Sequence, residues 1–298
     1  MDPRRRALLA LLAAGAAVRP GLAQARILTK PIPASGEALP VIGCGTWQTF
    51  DVGADKAERA RLRGVLEIIA QEGRAVVDSS PMYGSSESVA GELMAELKKP
   101  LFVATKVWTR GRLEGEKQMQ TSFRRLKVER MDLMQVHNLV DVATHTKTLL
   151  DWKSKGRIRY VGITHYTASA YGELERWLKT RQYDFLQVNY SLGERESEKR
   201  LLGLAQDAGA AVVINRPFAE GALFRRTKGK PLPPWAAELG IGSWAQYFLK
   251  WIVSHPAVTC AIPGTGKPEH MRDNLGAGQG PLPDDSARRR MAQYFDGL

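Results

Sequence analysis

The sequence predicts a single (β/α)₈ barrel, and three observations carry that prediction. Short apolar, β-branched runs recur about 25–30 residues apart, and eight of them can be counted along the chain. The segments between them repeat apolar residues at helical spacing. An open doubly wound sheet would place G-x-G-x-x-G after its first strand, and no such sequence stands there. The 298 residues, 44% hydrophobic and 25% charged, are enough for one large globular domain over residues 26–298. This composition excludes a collagen, a coiled coil or a disordered chain.

In chain order, Arg4-Arg5-Arg6, an apolar run Ala7–Val18 and then Ala23-Gln24-Ala25 have the layout of a cleaved secretory signal over residues 1–25. The arginine pair suits a twin-arginine as well as a Sec route, so the chain is expected to be exported to the periplasm. The apolar run falls short of the ~20 residues that span a bilayer, so no stable membrane insertion is expected after cleavage. Arg26–Pro40, rich in Pro and Gly, predicts a short hairpin. The eight strands follow: Val41–Thr46, Ala75–Ser79, Leu101–Lys106, Met131–His137, Arg159–Thr164, Phe185–Asn189, Ala211–Asn215 and Val258–Pro263. Leu62, Val65, Leu66 and Ile69 share one face of a helix over Asp55–Glu72, which Gly73 stops. Val89, Leu93 and Leu97 mark a helix capped by Ser85 or Ser86. Met119, Phe123 and Leu126 mark another over Glu116–Lys127, and Tyr171, Leu174 and Leu178 a fourth. Ile241–Ser254 reads as a buried helix.

The net charge of +12 permits an anionic partner, but the basic residues are scattered and not interleaved with aromatics. Nucleic-acid binding is therefore not expected. Two cysteines, Cys44 and Cys260, make no disulfide framework. They fall on the first and last strands, neighbours in a closed barrel. Two buried thiols are favoured over a single disulfide.

Barrel active sites sit at the C-terminal ends of the strands. There the sequence places Asp78, Tyr83 in the loop that follows, Lys106 and His137. Each alone has a bland explanation, as a loop cap, a surface charge or a structural histidine; their joint placement at three neighbouring strand ends does not. A phenol with an ordinary pKa of about 10 is a poor acid near neutrality, and an ammonium beside it is expected to lower that value. Asp78 is the natural partner for Lys106, and His137 can orient a carbonyl.

On these residues the chain resembles the aldo/keto reductase family. Gly43-Cys44-Gly45-Thr46-Trp47 looks like the family's opening strand, and Val77-Asp78-Ser79-Ser80-Pro81-Met82-Tyr83-Gly84 like its next loop. Ala104-Thr105-Lys106-Val107-Trp108 and Asp132-Leu133-Met134-Gln135-Val136-His137 match two further strands. The resemblance implies NADPH-dependent reduction of an aldehyde or ketone, without a metal. Tyr83 would be the general acid, tuned by Lys106 and Asp78, with His137 orienting the carbonyl. Trp47 and Trp108 would line the substrate pocket.

The implied cofactor contacts are Thr46, Trp47, Thr164, His165, Gln187, Asn215, Arg216, Pro217, Phe218, Gly264, Thr265, Lys267, His270 and Asn274. Thr164-His165 stands where the family usually has Ser-Asn, and Asn215-Arg216-Pro217-Phe218 where it often has Tyr-Ser-Pro-Leu. Gly264 and His270 replace basic residues, with Lys267 as compensation, so NADPH is favoured and NADH also fits. A barrel isomerase or lyase, and a cofactor-binding sensor without turnover, remain as alternatives.

Overall fold

The computed structural model describes residues 27–298, so the signal expected over residues 1–25 lies outside the described residues. Two short antiparallel strands come first, β1 (Thr29–Pro31) and β2 (Ala38–Pro40). Eight parallel strands then form one sheet: β3 (Cys44–Gly45), β4 (Val76–Asp78), β5 (Phe102–Val107), β6 (Met131–His137), β7 (Ile158–Thr164), β8 (Phe185–Asn189), β9 (Ala211–Asn215) and β10 (Val258–Ala261). Each pairs with the next in sequence, and bridges from Ile42 to Ala261 and from Gly45 to Gly264 join the last to the first. The predicted barrel is therefore the observed one. Its first strand is shorter than the apolar run suggested. A Cβ at Gly45 would lie 2.9 Å from the Ile262 carbonyl oxygen, so only glycine lets the seam close there.

Helices wrap the outside. Asp55 caps α1 (Lys56–Ile69) by accepting from the Ala57 and Glu58 N–H groups at 2.9 and 3.0 Å, and Leu62, Val65, Leu66 and Ile69 are buried as their spacing requires. Ser85 stands before α2 (Ser86–Leu97) without capping it, because its hydroxyl donates instead to Asp51 at 2.8 Å. Helix α3 (Arg112–Leu126) starts a turn earlier than its apolar stripe. Next come α4 (Val142–Ser154), α5 (Tyr171–Leu178), α6 (Leu201–Asp207) and α7 (Ala222–Thr227). In α8 (Trp244–Val253) every residue from Tyr247 to Val253 is buried. The chain ends with α9 (Pro268–Gly276) and α10 (Asp285–Asp296). Among the described residues, no helix is long and apolar enough to cross a membrane.

Because strand side chains alternate, each strand sends every second residue into the barrel. Val76, Phe102, Leu133, Tyr160, Phe185, Ala211 and Cys260 fill its lower half, closed from below by Ile32 and Leu39 of the hairpin. Both thiols are free and buried, and the alternation keeps them apart: Cys260 belongs to this inner cluster, Cys44 to the layer beneath the helices.

Candidate active site

Two residues further along the same strands the inner face changes character. Val76 gives way to Asp78, Ala104 to Lys106, and Leu133 to Gln135 and then His137. Lys106 is fully buried, and its ammonium donates to Asp78 Oδ2 at 2.6 Å and to the Ser79 carbonyl at 2.7 Å. It also reaches the Tyr83 hydroxyl and lies 5.2 Å from that ring's centroid. Burial works against the Lys106 charge, but Asp78 and Tyr83 outweigh it and hold its pKa above the ordinary value. Asp78, Tyr83, Lys106 and His137 thus meet at one point, the bottom of an open cavity.

Tyr83 departs from the sequence expectation. Burial and the nearby Asp78 carboxylate push its pKa above 10, overriding the downward pull of Lys106. The phenol is therefore fully protonated at neutral pH, the form a proton donor needs. His137 moves the other way: burial and the Lys106 charge take it down to about 2, so its ring is neutral. Ser80, itself buried, sits 3.0 Å from His137 Nδ1. With the serine hydroxyl donating there, Nε2 carries the proton and faces the cavity.

The cavity encloses about 620 Å³. Of the residues singled out from sequence, Thr46, Trp47, Asp78, Tyr83, His137, Thr164, Gln187, Asn215, Arg216, Pro217, Phe218 and Gly264 all border it. Lys106 lies behind them. Trp108, expected to line the substrate pocket, does not border the cavity; it is partly exposed, its ring centroid 6.4 Å from that of His137. His165 turns its Nδ1 toward the Thr167 N–H at 3.2 Å and stacks on Tyr166, which borders the cavity in its place. Thr265, Lys267, His270 and Asn274 lie beyond the cavity on the turn into α9 and on that helix. Thr265 Oγ1 accepts from the Lys267 N–H at 3.1 Å; Lys267 and His270 are exposed, and Asn274 is buried.

Tyr166, Asn138, Met82 and Phe224 also border the cavity and were not found from sequence. Asn138 directly follows His137 at φ 50°, a left-handed conformation that asparagine tolerates, and this turn was the available signal.

Three buried polar atoms on residues of the cavity wall have no partner in the chain, Gln187 Nε2, Asn215 Oδ1 and Arg216 Nε. Gln187 Oε1 already accepts from Thr164 Oγ1 at 3.1 Å, and Asn215 Nδ2 donates to the His165 carbonyl at 3.3 Å. Gln187 and Asn215 thus keep one donor and one acceptor without a partner in the chain. A primary carboxamide offers the complementary pair, so these residues fit the nicotinamide end of a dinucleotide. Among the described residues, no group of three or more His, Cys, Asp or Glu side chains is placed to hold a metal ion.

Comparison with known proteins agrees with this geometry. The profile described as "Aldo/keto reductase family" matches residues 41–292. The methylglyoxal reductase YeaE of Escherichia coli is 30% identical over 255 residues, covering 82% of this chain and 88% of that protein. The NADH-specific methylglyoxal reductase of the same organism is 24% identical, covering 89% and 98%. A solved aldo-keto reductase from Klebsiella pneumoniae in complex with NADPH superposes with a TM-score of 0.77 at 24% identity, over 91% of this chain and 96% of that one. The chain belongs to the aldo/keto reductase family.

Proposed function

We propose that this protein reduces small or medium aldehydes and ketones to alcohols with NADPH, and that Tyr83 supplies the proton. The observation that carries the reading is the bridging position of Lys106 between Asp78 and Tyr83 beside a neutral His137. A reduced nicotinamide, when bound, supplies the hydride that the carbonyl carbon accepts. Its carboxamide would meet Gln187, Asn215 and Thr164, and its phosphate-bearing end the basic turn of Lys267, His270 and Arg272. NADPH is preferred for that charge, while the NADH-specific relative keeps NADH within reach of the fold.

The protein's own part is positional and electrostatic. His137 Nε2–H holds the carbonyl oxygen by a hydrogen bond, and the Tyr83 hydroxyl delivers its proton to that oxygen. The phenolate left behind faces the Lys106 ammonium, which stabilises it until solvent returns a proton. Asp78 keeps Lys106 charged so that the positive field is always present. Trp47 and Met82, both partly exposed at the mouth, offer an apolar surface to the rest of the substrate. Methylglyoxal, the substrate in the names of two relatives, is the first carbonyl to offer.

The test is a tryptophan-fluorescence titration with NADPH and, separately, NADH, followed by turnover of methylglyoxal. Saturable micromolar binding with turnover supports the reading, and binding of neither nucleotide overturns it. We also propose export, supported by the basic, apolar and A-x-A order of residues 1–25. A periplasmic fraction containing the chain cleaved after Ala25 is the expected result, and an uncleaved cytoplasmic chain contradicts it. An exported enzyme of this kind needs its cofactor carried with it, which favours a route for folded proteins.

A further inference from the structure

Gln135 is fully buried on β6 and takes no part in the chemistry above. Its Nε2 donates to Asp78 Oδ1 at 3.1 Å, while Asp78 Oδ2 receives Lys106 at 2.6 Å. The carboxylate is therefore gripped at both oxygens, and its plane is set by two neighbours. Gln135 Oε1 is buried without a partner, an arrangement that costs stability and that Leu or Met in this spot would avoid. Across the sheet, Gln135 is in register with Gly162 of β7. A Cβ at Gly162 would lie 2.7 Å from Gln135 Cγ and 3.3 Å from its Oε1. The barrel thus leaves out an inward side chain at 162 and tolerates an unsatisfied oxygen, both so that an amide can stand beneath Asp78.

We infer that Gln135 is a positioning residue for the reduction, acting through Asp78 to aim the Lys106 ammonium at Tyr83. This rests on the proposed reductase reading. Lys106 has three N–H donors; Asp78 and Ser79 hold two, and the third is left for the phenol. A carboxylate free to rotate would let the ammonium swing, and an error of ~1 Å at such a point can cost ~10²-fold in rate. The ionisable groups that face Asp78 are Lys106 from β5, Tyr83 from the loop after β4, His137 from β6 and the Cys260 thiol from β10, while the Cys44 thiol lies on the outer side of β3 beneath the helices. The two thiols, raised by burial and by Asp78 itself, stay neutral through the working range. His137 stays neutral as well.

The test compares the wild type with Gln135→Met, which keeps the volume and removes the donor. The expected result is a kcat lower by at least about tenfold, with KM and NADPH affinity within about twofold. The carboxyl ¹³C resonance of Asp78 in cofactor-free protein should also shift at neutral pH, because the carboxylate loses the N–H that donates to its Oδ1. Gly162→Ala, which pushes the amide away while retaining it, should reproduce both effects. An unchanged kcat and an unmoved Asp78 resonance in both variants overturn the inference while leaving the reductase reading intact. Absence of turnover in the wild type defeats the reading instead, and the Asp78 resonance then still decides whether Gln135 governs that carboxylate.

Discussion

The lower and upper halves of the barrel interior are built on the same strands, one side-chain repeat apart, and are opposites. Below, Val76, Phe102, Leu133, Tyr160 and Phe185 pack into a plug sealed by Ile32 and Leu39. Above, Asp78, Lys106, Gln135, His137, Thr164 and Gln187 are just as buried, yet four polar atoms of this upper region lack partners: Gln135 Oε1, Gln187 Nε2, Asn215 Oδ1 and Arg216 Nε. Apolar burial at roughly 25 cal/mol per Å² makes the lower layer a source of stability, whereas each unsatisfied polar atom costs roughly 1–3 kcal/mol. The upper layer is kept for what it binds, and the lower layer holds it in place.

The largest effect expected of this division is Tyr83→Phe, which removes one hydroxyl from the upper layer. Turnover should fall by about 10²–10⁴-fold, with stability and NADPH affinity nearly unchanged, as read by steady-state kinetics and thermal melts. Phe102→Ala should do the reverse. It should lose about 3–5 kcal/mol of stability and retain its kcat below the melting transition.

Lys106→Met breaks the division, because it leaves the Asp78 charge buried without its ion pair. It should abolish turnover and also cost about 3–5 kcal/mol in denaturant unfolding. Smaller is Ser80→Ala, expected to reduce kcat about tenfold by releasing the His137 ring; the imidazole ¹⁵N shifts report whether Nε2 loses its proton.

The pH dependence sharpens the same contrast. Reduction needs Tyr83 protonated, and burial raises its pKa, so activity is present below that value and lost as pH rises through it. The decline should therefore begin only above about pH 10. His137, held down to about 2, should contribute no acid limb near pH 6.5. A kcat profile with a limb there would show the imidazole taking up a proton.

The fold was legible because strands covered on both faces read as unbroken apolar runs, and several of these runs end in or beside a polar residue at the cavity. Asp78, Lys106 and His137 stood out for that reason. Gln135 carried the same signal, a lone polar residue at an inward position two before His137, and was passed over inside an apolar run. Tyr166 and Phe224 were not legible, since Tyr166 sits on the loop after β7 and Phe224 on the short α7, which is reached through left-handed residues at Arg216, Ala219 and Glu220. Nor was the direction of the Tyr83 shift, which is set by how completely the surrounding loops exclude water.

The most direct test of the central claim measures NADPH affinity and methylglyoxal turnover together, in the wild type and in Tyr83→Phe. The account predicts equal affinities, steady NADPH consumption by the wild type, and almost none by the variant. Equal turnover in the two proteins would contradict it, because the proton would then come from another group.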